Sequence, residues 1–188
     1  YRLITFCLTD VFLGVSMALF LKRRFSWKIT IAALVFMELE LWLFEYVCYV
    51  NGMGENCYDN ILLGRIPVVA VGFFLSEYWD ARGLFTALSG VFYGNLGGLV
   101  VRTIYCLNQS LLLGIASSVI LNVLLLVILY RDFRPAYWKA QEVYRKEWVL
   151  FSLILIMFIT GNYLILGAAR GLPIECVRNV IPLLYLLN

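Results

Sequence analysis

The chain has 188 residues, of which 63% are hydrophobic and only 14% charged, with a formal net charge of +3 and no histidine. A soluble domain carries about 25% charged residues, so this composition excludes an ordinary water-soluble globule, and no nucleic-acid partner is expected. The absence of histidine removes a histidine general base, a catalytic triad and histidine metal ligation. No nucleotide-binding glycine loop is present. No catalytic residue, metal site or cofactor is therefore expected.

Long apolar runs separated by short charged clusters are the pattern of bilayer-spanning helices, each needing about 20 residues. The fold class expected is all-α: a polytopic transmembrane bundle of six to seven spans, forming one domain over residues 1–188 with no soluble domain. Span one covers residues 1–21 and is closed by Lys22, Arg23 and Arg24. It makes a poor signal peptide, because the run is long and its basic cluster follows it. Span two covers residues 29–50. Residues 51–60 (NGMGENCYDN) read as a loop by turn chemistry. Span three covers residues 61–79, with Pro67 near its start, where a helix tolerates proline best. A tight turn over residues 80–83 leads into span four, residues 84–106. Span five covers residues 110–130. In the charged connector of residues 131–147, Pro135 is expected to start a short amphipathic helix at the membrane surface. Span six covers residues 148–168 and span seven residues 173–188. The chain opens on Tyr1, not Met, and ends inside an apolar run at Asn188, so it is expected to be a piece of a longer protein.

Charge asymmetry orients the bundle. Lys22, Arg23, Arg24, Lys28, Arg82, Arg131, Arg134, Lys139, Arg145 and Lys146 follow spans one, three and five, whereas Arg65, Arg102, Arg170 and Arg178 fall on the other side. The positive-inside rule then places the N-terminus outside and the C-terminus in the cytoplasm of a multi-pass cell-membrane protein. Trp27, Trp79, Trp138 and Trp148 fall at the inner interface, where indoles anchor. Cys7, Cys48, Cys57, Cys106 and Cys176 fall toward the outer, oxidising side. They either form one or two disulfides there or remain buried thiols.

Ionisable residues at membrane depth are the functional candidates, because a charge in hydrocarbon is costly. Asp10 lies in span one and Glu38, Glu40 and Glu45 in span two, with Glu38, Trp42 and Glu45 sharing a face by their spacing. Asn95, Asn122 and Asn162 bring amides into spans four to six, and Arg102 is placed to neutralise a carboxylate. Asp10, Glu38, Glu45, Asn95 and Arg102 are the expected ligand-binding set; the alternative is a set of interhelical contacts that fix packing. Gly90, Gly94 and Gly98 recur every four residues and form a smooth ridge for helix packing, within the protomer or at a homodimer seam.

Residues 80–166 carry a family resemblance. A helix opening with Leu84-Phe85-Thr86-Ala87 leads to a long aliphatic span ending at Tyr130. An Arg134-Pro135 connector follows, and then an aromatic-led span at Trp148 (EWVLFSLILIMF). This resembles the N-terminal membrane sensor region of GHKL-type sensor histidine kinases of Gram-positive bacteria. The resemblance implies a sensor module of a two-component system, detecting a peptide, small-molecule or membrane signal and relaying it to a cytoplasmic kinase. No phosphoacceptor histidine or ATP-binding domain lies in this chain, so no catalytic activity is expected of it, while the resemblance implies that the full-length protein is a histidine kinase. The alternative is a small polytopic transporter or its substrate-binding membrane subunit. An intramembrane enzyme ranks third, since nothing pairs a nucleophile with a base.

Overall fold

The computed structural model describes residues 2–51, 57–108, 110–144 and 146–168. The fold is all-α. An isolated antiparallel bridge between Arg23 and Ser76 is the only extended pairing among the described residues. The helices are α1 (Arg2–Phe20), α2 (Trp27–Val50), α3 (Cys57–Leu75), α4 (Ala81–Asn108), α5 (Leu111–Ile128), α6 (Arg134–Val143) and α7 (Glu147–Ala168). A π-helix, Leu129–Phe133, joins α5 to α6 without a break, so the described residues form six continuous helical bodies.

Three boundaries differ from the sequence expectation. Helix α3 starts at Cys57, inside the stretch expected to be loop, so Pro67 lies in its interior. The connector after span five does not leave the helix. Its chain widens into the π-helix just before Pro135, where the proline ring would otherwise clash with the Arg131 carbonyl one turn back. Helix α4 begins at Ala81, so the expected turn is shorter, and Gly83 falls in the first helical turn. A side chain at Gly83 would collide with the Tyr78 carbonyl. Residues 173–188, the expected span seven, lie outside the described residues.

Helix α4 is the centre of the bundle and packs against α1, α3, α5 and α7. Small residues let it sit there. A Cβ on Gly94 would stand 2.6 Å from Leu13 Cβ, and one on Gly90 would stand 3.0 Å from Met17 Cβ. The Gly90/Gly94 surface is thus covered by α1 of the same chain; the surroundings of Gly98 lie outside the described residues. On α3, a Cβ at Gly72 would meet Met17 Sδ at 2.7 Å, so this methionine fills the space between α3 and α4 that the two glycines leave. Helix α2 closes on α1 and α3 through Thr30, Leu34, Met37, Leu41, Glu45 and Cys48. Their three- and four-residue spacing makes one continuous helical stripe.

The outward faces of the bundle are apolar. On α2 they carry Val35, Phe36, Leu39 and Leu43, on α5 Leu112, Ile120, Leu121 and Leu124, and on α7 Leu150, Leu153, Ile154 and Met157. The helical body Leu111–Val143 is long and apolar enough to cross a membrane. The apolar helices Cys7–Phe20, Gly64–Leu75 and Glu147–Gly161 are shorter over the described residues. Helix α2 is long enough, but Glu38, Glu40 and Glu45 interrupt its apolar run.

Candidate functional site

A charged cluster joins α1, α2 and α3. Asp10 is fully buried, and its Oδ1 accepts a hydrogen bond from Arg65 Nη1 of α3 at 2.5 Å. Arg65 is itself buried, with its side chain 7% exposed. Glu45 lies on the packed stripe of α2 and brings its carboxyl within hydrogen-bond reach of Asp10, a contact that two carboxyls make by sharing a proton. Two turns earlier on α2, half-buried Glu38 sets its carboxyl against Gly14 of α1. Any Cβ at position 14 would collide with Glu38 Oε1, so glycine is what admits the carboxyl. Asp10 Oδ2 and Glu45 Oε2 are buried, with no hydrogen-bond partner among the described residues, and the buried Glu38 oxygens have no side-chain partner there.

Charge counting sets what this cluster can do. A buried carboxylate is tolerated when it is paired and hydrogen-bonded. Asp10 and Glu45 meet beside the one guanidinium of Arg65, and Glu38 lies two turns away on α2, so acids outnumber the buried cation and the cluster suits a hydrogen-bond-donating group. No set of three metal-binding side chains exists among the described residues. Beside Arg65, a groove of about 460 Å³ runs between α3, α4 and α7, lined by Val69, Phe73, Leu84, Leu88 and Ile156 among others.

A second polar node ties α6 to the helix ends around it. Arg82 grips Asp80 through two nitrogens, at 3.0 and 2.6 Å, and donates to the Gln141 carbonyl at 3.0 Å. Thr86 Oγ1 lies 2.7 Å from the Tyr137 hydroxyl, and the buried Gln141 amide donates to both, at 3.0 and 2.9 Å. Tyr137 packs against Phe20, Phe85 and Trp148, from α1, α4 and α7. Lys22 reaches the Tyr78 hydroxyl at 3.0 Å and Glu142 at 3.1 Å. Those two bonds hold its ammonium well above the usual lysine range.

The structure brings together three of the five expected ligand-binding residues, Asp10, Glu38 and Glu45. Asn95 and Arg102 lie on α4, and their side chains are outside the described residues. The cation that meets Asp10 is Arg65, which the sequence reading counted only as a topological charge. The signal was there: an arginine flanked by Gly64 and Ile66, eight residues inside α3, is expensive unless it has a partner. Trp42 does not share the packed stripe with Glu45; it stands one residue beyond Leu41 and is exposed. Glu40 is likewise exposed. Asn122 turns back on its own helix and donates to the Ser118 carbonyl at 2.8 Å. Cys7 and Cys48 are free thiols, and the side chains of Cys57, Cys106 and Cys176 are outside the described residues. Comparison of the chain with protein-family models, with curated proteins and with solved structures finds no match.

Proposed function

We propose that the chain is a polytopic membrane protein of six to seven spans that serves as a sensor module, with the Asp10–Arg65 cluster as its signal-receiving centre. The observation that carries this reading is the buried Asp10–Arg65 pair with Glu45 and Glu38 beside it. It links three helices through charges that stabilise a fold poorly for their cost, and intramembrane charges of this kind mark functional sites. The membrane reading draws on helices α1 to α5 and α7, 18 to 28 residues long. At 1.5 Å per residue they match a hydrocarbon core about 30 Å thick. It draws also on the aliphatic side chains exposed on the outward faces of helices that bury Asp10, Glu45 and Arg65 between them. The N-terminus is outside and the C-terminus cytoplasmic in this reading.

The likeness to the membrane region of GHKL-type histidine kinases supplies the output: a cytoplasmic kinase reached through the segment after α7. The groove beside Arg65 suits a signal with an apolar part and a hydrogen-bond-accepting head, such as a peptide or small molecule. The α6 node supports relay, because Tyr137 touches helices α1, α4 and α7 together. A small transporter is the second reading, favoured by the same buried acids.

Glu38→Gln and Glu45→Gln, tested in both a transcriptional reporter and an uptake assay, separate the two. The sensor reading expects the reporter response to change and uptake to remain at background. Loss of a measurable uptake would establish the transporter, and two unchanged readouts would make the cluster structural. The coding sequence that follows residue 188 gives an independent test. A helix with a phosphoacceptor histidine and an ATP-binding domain is expected, and a stop codon would count against the sensor.

A further inference from the structure

We propose that Arg23 and Arg24, each stacked on an exposed tryptophan, form a binding site for the phosphodiester headgroup of an anionic membrane phospholipid. Two connections build a rigid platform. Arg24 N–H donates to the Leu75 carbonyl at 3.0 Å, and Glu77 N–H donates to the Lys22 carbonyl at 2.8 Å. The α1–α2 and α3–α4 connections are thereby locked side by side. The Arg23 guanidinium lies 4.8 Å from the Trp27 ring centre, and that of Arg24 lies 4.4 Å from Trp79.

The neighbouring lysine shows the contrast. Lys22 is paired with Tyr78, Glu77 and Glu142 at the surface. Arg23 and Arg24 point out and have no carboxylate partner among the described residues, and neither does Lys28 on the next turn. Stacking on an indole face fixes a guanidinium but leaves its N–H edge directed outward, the geometry that binds a phosphate oxygen pair. Trp27 and Trp79 are 51% and 57% exposed, which for two indoles fits headgroup depth better than water. A basic, tryptophan-flanked surface at this depth selects anionic over zwitterionic lipid. The inference rests on the membrane reading and is independent of what the module senses.

The test is lipid retention by the purified chain in mixed micelles holding equal phosphatidylglycerol and phosphatidylcholine, read by native mass spectrometry. The wild type is expected to retain phosphatidylglycerol preferentially. At about 1 kcal/mol per basic residue, the double variant Arg23→Gln/Arg24→Gln is expected to lose on the order of thirtyfold of that preference. The control Lys139→Gln should keep it. Because both arginines are exposed, the double variant should keep the wild-type melting temperature. If it does not, Arg23→Lys/Arg24→Lys, which keeps the charge but not the paired N–H edge, must still show a reduced preference. Equal retention of the two lipids by the wild type, or an unchanged preference in the variants, overturns the site. Carbonate extraction of expressing cells separates the two failures. A chain released from the membrane sinks the membrane reading itself, whereas one retained without lipid preference sinks only the headgroup site.

Discussion

The indole N–H of Trp138 donates to the carbonyl oxygen of Phe20 at 3.0 Å, so α6 caps the last turn of a helix 118 residues earlier. Helix carbonyls at a C-terminus have no partner within their own helix, and here a side chain from a distant element supplies one. On its other face the Trp138 ring receives the Arg134 guanidinium at 4.2 Å. Replacing Trp138 with Phe keeps the ring but removes the donor. A loss of about 1–2 kcal/mol is expected in detergent-solubilised protein, read as a lower melting temperature by circular dichroism. An unchanged melt would mean that the α6–α1 contact contributes nothing.

The α6 node itself should be sensitive to Thr86. Its hydroxyl serves Tyr137, Gln141 and the Arg82 carbonyl at once. Thr86→Val is nearly isosteric, yet it leaves buried polar atoms unserved, at a cost of about 1–3 kcal/mol. Tyr137→Phe should couple with it non-additively, since the two share one hydrogen bond. Additive melting shifts in the double variant would argue against that bond.

Breaking the buried ion pair should be the costliest change. Arg65→Gln strips Asp10 of its cation and is expected to destabilise by about 3–5 kcal/mol. Adding Asp10→Asn removes the stranded carboxylate and should recover part of that loss. Chemical denaturation in micelles reads both. A double variant less stable than Arg65→Gln alone would show that Asp10 has a second partner of equal weight.

At the helix seam, Gly94→Ala should be worse than Gly90→Ala. Its new methyl would press on Leu13 Cβ at 2.6 Å and on Leu13 Cα at 3.0 Å, forcing α1 off α4, at about 1–3 kcal/mol. At Gly90 the nearest atom is Met17 Cβ at 3.0 Å, a contact that a few tenths of an ångström of relaxation relieves. Because α1 occupies this ridge, neither change should alter oligomeric state by light scattering. A shift in mass on Gly94→Ala would restore the homodimer seam.

Lys22 gives a pH expectation of definite sign. Its ammonium is held more tightly in the folded protein than in the unfolded chain, through Tyr78 and Glu142. The stability it adds is therefore complete at neutral pH and is lost only as pH rises through the alkaline range. Lys22→Met should lower the melting temperature equally at pH 6 and pH 8, and a pH-dependent difference between those values would contradict the assignment.

Hydrophobicity and spacing alone determined a great deal. The all-helical class, most helix positions, the small-residue ridge on α4 and the placement of Asp10, Glu38 and Glu45 within apolar helices are local properties, readable from run length, periodicity and misplaced charge. What the tertiary structure decided is which partners meet. The pairing of Asp10 with Arg65 joins residues 55 positions apart on different helices, and nothing in either local sequence names the other. The same holds for Trp138 and Phe20. Helix α3 reaches back to Cys57 and carries Pro67 in its interior, against the local turn chemistry of residues 57–60. Local pattern sets what each segment can bury; only packing in three dimensions decides against whom, since the energy of a buried charge depends on the neighbour that neutralises it.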